Sequence, residues 1–142
     1  MSLTNPKSVV RIDQSFENVL SFYKWHIEYL WIDRDAIRIE YEITPPIFIP
    51  DQDDVLTTLT STWGHALDNL GNEYQSWGGA IGLSKTKNVT EGVISFIPLP
   101  NVEATSIQFF IEIQRGETGP DAIEFSVLLS KLQLVDDTLD GK

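Results

Sequence analysis

Apolar and polar residues alternate with a period of two over much of this chain. In Ile37-Arg38-Ile39-Glu40-Tyr41-Glu42-Ile43 every odd residue is apolar and every even one is charged. Successive side chains of a strand point to opposite faces, so the run predicts a half-buried strand with its Ile/Tyr face inward. Pro45-Pro46 ends it, because proline has no N–H to give to a ladder. Upstream, Trp25, Ile27, Tyr29 and Trp31 alternate with Lys24, His26 and Glu28. Asp33-Arg34-Asp35 separates the two runs, which predicts an antiparallel hairpin with the Trp25/Ile27/Tyr29/Trp31 stripe inward. Before it, Val9, Val10 and Ile12 suggest a short first strand. Between them Phe16, Val19, Leu20 and Tyr23 fit a helical spacing with Ser15 as cap, or a bend into the Trp25 strand. The strongly β flanks favour the bend.

The middle of the chain carries a second hairpin. Trp63 to Leu67 and Glu73 to Trp77 flank Asp68-Asn69-Leu70-Gly71-Asn72, where aspartate opens turns and Gly71 can take the left-handed conformation that closes them. Gly78-Gly79-Ala80-Ile81-Gly82 through Asn88 reads as a flexible loop. Gly92 to Ile97, Ile107 to Ile113 and Ile123 to Leu129 follow as strands, the last with a possible extension to Val135. Pro98-Leu99-Pro100 and Gly116-Glu117-Thr118-Gly119-Pro120 punctuate them. About eight strands with turn signals between them and no long helix predict an all-β fold: an antiparallel immunoglobulin-like β-sandwich, or a closed β-barrel.

Composition narrows the function classes. The 142 residues suit one domain over 1–142, with the ends 1–7 and 136–142 expected to fray. Hydrophobic residues make up 42% and aromatics 11%, enough to build a core and to exclude intrinsic disorder. With no cysteine, a disulfide scaffold, thiol catalysis and cysteine-based metal centres are excluded. Ten Lys+Arg against 21 Asp+Glu give a net charge of −11, which repels nucleic acid and anionic membranes. No apolar run approaches the roughly 20 residues that cross a bilayer as a helix, so no membrane insertion by this chain is expected. The expected location is cytoplasmic for a complete chain and extracytoplasmic for an excised domain.

Few residues suggest chemistry. Asp51, Asp53 and Asp54 follow Pro50 in an acidic loop, the type of donor set calcium prefers. The loop is not an EF-hand, because Leu56 stands where that loop requires glycine, and a solvated turn is the simpler reading. His26 and Glu28 share one strand face and can pair or co-ligate a metal, although a surface pair is the simpler reading. No G-x-S-x-G elbow is present, and Gly78-Gly79-x-x-Gly82 lacks the Lys-Ser/Thr of a phosphate loop. Asn88-Val89-Thr90 matches a glycosylation sequon, a pattern that often arises by chance. No cofactor is expected. Trp63, Tyr74 and Trp77 gather at the central hairpin, where rings can stack on a sugar, anchor a protein or fill the core. Filling the core is the simpler reading for each ring; if one is exposed, Trp77, beside the glycines, is the expected one.

Asp68-Asn69-Leu70-Gly71-Asn72-Glu73-Tyr74, the Gly-rich stretch, then Glu91-Gly92-Val93-Ile94-Ser95-Phe96-Ile97-Pro98-Leu99-Pro100 form a recurrent pattern. It resembles poorly characterised immunoglobulin-like sandwich domains of bacteria. Some of these lie in extracytoplasmic parts of anti-sigma-factor-like and other membrane-anchored proteins, and others stand alone. The resemblance covers residues 63 to 115 and implies a fold, with no catalytic residues to transfer. The expectation is a non-catalytic interaction or accessory module that recognises a protein through loops or a sheet edge. The alternatives are a module binding calcium or a glycan, and a hydrolase using unrecognised carboxylates.

Overall fold

The computed structural model describes residues 7–20, 23–45, 60–84, 88–100, 102–115 and 118–135. The acidic loop at Asp51, Asp53 and Asp54 and most of both chain ends lie outside the described residues. The strands are β1 Lys7–Val19, β2 Tyr23–Ile32, β3 Ile37–Thr44, β4 Thr60–Asp68, β5 Glu73–Ser84, β6 Val89–Ile97, β7 Ser106–Arg115, β8 Thr118–Leu128 and β9 Gln133–Val135. A 3₁₀ turn at Leu129–Lys131 separates the last two. All nine belong to one antiparallel sheet in the order β8-β7-β4-β5-β6-β3-β2-β1-β9.

The sheet curls until β1 and β8 approach each other. The Leu20 N–H, just past β1, donates to Asp121 Oδ2 on β8 at 2.8 Å, and the Phe16 and Phe125 rings lie 6.2 Å apart. The all-β antiparallel architecture read from the alternation is therefore present. It takes the form of a nearly closed barrel, with side chains filling the interior. Trp25 stacks on Tyr41 at 4.5 Å, Phe96 meets Phe109 edge-on, and Phe109 stacks on Phe125. Ile37, Ile39, Tyr41 and Ile43 all point inward, as their alternation requires.

Several local expectations change. The Trp25/Ile27/Tyr29/Trp31 stripe does not stay on one face. Ile27 pairs with Tyr41 but Tyr29 pairs with Glu40, so Glu28 is the extra residue of a bulge. Past it the pleat inverts: Leu30 is fully buried, while Tyr29 and Trp31 turn to the outer face. The Ser15–Tyr23 region is neither a helix nor a simple bend. Its first five residues continue β1, which carries two bulges, one between Arg11 and Gln14 and one between Phe16 and Val19. Asp13 and Asn18 sit in these bulges with φ of 53° and 59°, a conformation Asp and Asn tolerate better than most residues. The strand from Ile37 to Ile43 lies inside the sheet, flanked by β2 and β6. Finally, the Gly-rich stretch is strand. β5 runs through it, pairing Gly79 with Ile94 and onward to Ser84 with Val89.

Candidate functional site on the outer face

The D-x-x-G-x-x-Y signature is a structural corner. Asp68 is buried, and its carboxylate accepts hydrogen bonds from the Tyr74 hydroxyl at 2.7 Å and from Asn72 Nδ2 at 3.0 Å. It also accepts from the backbone N–H groups of Leu70 and Asn72, both at 2.9 Å. Burial alone would raise this carboxyl, but the Tyr74 and Asn72 side chains and the two N–H groups outweigh it and hold the pKa at about 2. Gly71 closes the turn at φ 92°. Tyr74, one of three rings considered for ligand contact, is thus a core residue only 1% exposed.

The other two rings are outside. Trp63 on β4 is 39% exposed and Trp77 on β5 is 68% exposed. Their strands part at this level. The β4–β5 ladder holds His65, Ala66 and Leu67 against Gln75, Tyr74 and Glu73, and Ser76 Oγ accepts the Gly64 N–H at 3.0 Å. Beyond Ser76, β5 bulges against β6, with Gly78 at φ 74°. Only glycine adopts that backbone readily, and the strongly exposed Trp77 indole sits within this bulge.

Beside Trp77 lies an open groove of about 590 Å³ lined by Arg38, Asp35, Ser95, Val93, Ile97 and the Gly78-Gly79 backbone, among others. Arg38 is held in place there. Its Nε donates to Asp33 Oδ2 at 2.8 Å and its Nη1 donates to Ser95 Oγ at 2.9 Å. Asp33 in turn accepts the N–H groups of Asp35 and Ala36 at the β2–β3 turn. Burial acts to raise Asp33, yet the Arg38 hydrogen bond, these N–H groups and the Arg38 charge keep it below the ordinary carboxylate range. The groove thus offers an exposed indole, a fixed guanidinium and an apolar floor, a combination suited to binding.

A polar cluster occupies the outer face of β1–β3. His26 and Glu42 are direct cross-strand partners, and Asp13 Oδ1 lies 2.7 Å from His26 Nε2. Ligand atoms of His26, Glu28 and Glu42 all lie within 4.8 Å of one another. On the neighbouring part of β3, Glu40 is pushed above its usual pKa, first by burial and then by the charge of Glu91, with a Trp31 hydrogen bond opposing. Sequence reading paired His26 with Glu28 but missed Glu42 and Asp13. Hairpin register would have supplied Glu42 had the bulge at Glu28 been foreseen. Nothing local marks Asp13.

This geometry defines a class first: a curled, single-sheet, all-β domain that carries the Trp77 groove and the His26 cluster on its outer face. Among solved structures, the chain is similar to a DUF4426 family protein from Pseudomonas aeruginosa PAO1. The TM-score is 0.50 at 10% sequence identity, covering 82% of this chain and 94% of that one. That likeness is one of fold, to an uncharacterised bacterial domain. No protein-family model matches the sequence, and no curated protein matches it. Among the described residues, no helix is long and apolar enough to cross a membrane.

Proposed function

We propose that this chain is a non-catalytic binding module that recognises a protein partner through the Trp77–Arg38 groove. One observation carries the reading: an indole 68% exposed in mid-strand, raised by a glycine bulge beside an oriented arginine. Aromatic and arginine side chains supply most hot spots at protein interfaces, whereas a tryptophan with no recognition role is usually packed away. The surface meant is the outer face of β3, β6 and β5, in place of a sheet edge.

Quantitative affinity capture from lysate and envelope of the source organism tests it, using wild type, Trp77→Ser and Leu128→Ser. Leu128 is also exposed but lies on β8, across the sheet order from the groove. A partner that is lost with Trp77→Ser and kept with Leu128→Ser is the expected result. A partner held equally by all three overturns the assignment of the surface.

A second reading uses the same groove for a small ligand such as a glycan. Its volume falls within the range of small-molecule sites, and the indole could stack on a sugar ring. A glycan array with Trp77→Ser as control separates the two. A hydrolase using carboxylates is the remaining rival, and turnover in a broad substrate panel would displace both binding readings.

A further inference from the structure

We propose that His26, Glu28 and Glu42 form a binding site for a divalent transition-metal cation, with Asp13 orienting the imidazole. The site is separate from the Trp77 groove. It rests on placement by three strands. His26 and Glu42 oppose each other on β2 and β3, Glu28 is the bulge residue of β2, and Asp13 sits in the first bulge of β1. Bulges commonly re-aim a side chain, and here both of the bulges concerned bring a carboxylate to the same imidazole.

The distances suit a metal. Zinc–nitrogen and zinc–oxygen bonds of about 2.0–2.2 Å put neighbouring ligand atoms roughly 3.5 Å apart. Ligand atoms of the three groups already lie within 4.8 Å of one another, and all three residues are half-buried. Asp13 Oδ1 lies 2.7 Å from His26 Nε2, so the proposal takes Nδ1 as the nitrogen offered to the cation. A ligating histidine normally gives its other N–H to a carboxylate in this way, which fixes the ring and raises its basicity. The donor set also selects. One imidazole nitrogen and two carboxylates suit zinc or manganese, while calcium prefers a shell made wholly of oxygen. Glu91, opposite Glu42 on β6, adds negative charge nearby.

Isothermal titration calorimetry of the chelator-treated full chain with zinc chloride tests this. The expected result is one equivalent bound at about micromolar Kd. His26→Ala and Glu42→Gln each weaken it by more than about tenfold, and Asp13→Asn weakens it by about 10-fold without changing the melting temperature of the metal-free protein. His65→Ala and the triple change Asp51→Asn, Asp53→Asn, Asp54→Asn leave it unaltered, which separates this site from the other histidine and from the acidic loop. Calcium chloride binds more weakly in the same cell. No heat at zinc concentrations up to about 100 micromolar, or binding indifferent to both His26→Ala and Glu42→Gln, overturns the proposal. If His26→Ala fails to fold, Glu42→Gln and Glu28→Gln decide it alone.

Discussion

Replacing Gly92 by alanine tests how the barrel wall is packed. Gly92 lies opposite Tyr41 in the β3–β6 ladder, and the Tyr41 ring lies across it. A Cβ added at Gly92 would fall on Tyr41 Cζ and the hydroxyl oxygen, and would lie 2.6 Å from Cε1. Comfortable carbon contacts are about 3.5–4.0 Å, so the ring must move by about 1 Å or more. It has nowhere to go: Tyr41 is buried, it stacks on buried Trp25, and its hydroxyl is tied to Thr62. Overpacking of this kind costs about 1–3 kcal/mol. Against that, alanine restricts the unfolded chain and returns about 0.4–1 kcal/mol. At mid-range the net loss is about 1.3 kcal/mol, which lowers the urea midpoint by roughly 0.5–1 M for a domain of this size. Urea unfolding followed by tryptophan fluorescence reads it. The sign should reverse once the ring is gone. In a Tyr41→Ala background, itself costly, Gly92→Ala becomes neutral or stabilising. A Gly92→Ala protein as stable as wild type, or additive costs in the double variant, would refute the packing described.

Other outcomes follow from particular contacts. Asp68→Asn lowers stability at neutral pH. Because the folded carboxyl is held at about 2 against an ordinary 3.8, its contribution is present above pH 4 and lost as pH falls towards 2. The gap between wild type and variant should therefore narrow across that window in acid-titrated melts, and a gap independent of pH would contradict the assignment. Glu40→Gln raises the melting temperature at pH 7, since a carboxyl pushed upward by burial and Glu91 is less favourable ionised in the folded chain; the gain should shrink as pH falls through the raised pKa. Asp121→Ala removes the acceptor for the Leu20 N–H where β1 meets β8, so hydrogen exchange at Leu20 should accelerate while exchange in β3 and β6 stays slow.

The sequence showed most of the strands and little of what joins them to function. The Ile37–Ile43 alternation located β3 and its inward face, because a strand buried on one side must repeat every two residues. The second hairpin was equally visible through Asp68 and Gly71. The bulges were not. Tyr29-Leu30-Trp31-Ile32 is apolar at all four positions, so either parity satisfies the pattern, and only the β2–β3 pairing decides which residues turn inward. The Gly78-Gly79 stretch looked like loop because glycines seldom fill a strand. In the fold they permit the bulge that exposes Trp77 while the ladder to β6 continues. The choice between facing sheets and a curled one depends on where β8 meets β1, a contact between residues about a hundred positions apart, such as Leu20 and Asp121. The metal cluster was half visible for the same reason: His26 and Glu28 share a strand, whereas Glu42 and Asp13 reach them only through register.

The most direct test of the groove as the recognition surface is photo-crosslinking from within it. A benzophenone side chain at position 77, with position 128 as the control, would be irradiated in living cells of the source organism. The account predicts a discrete crosslinked protein at position 77, absent at 128 and abolished by Arg38→Ala. Equal crosslinking from both positions, or a discrete adduct at 128 alone, would contradict it.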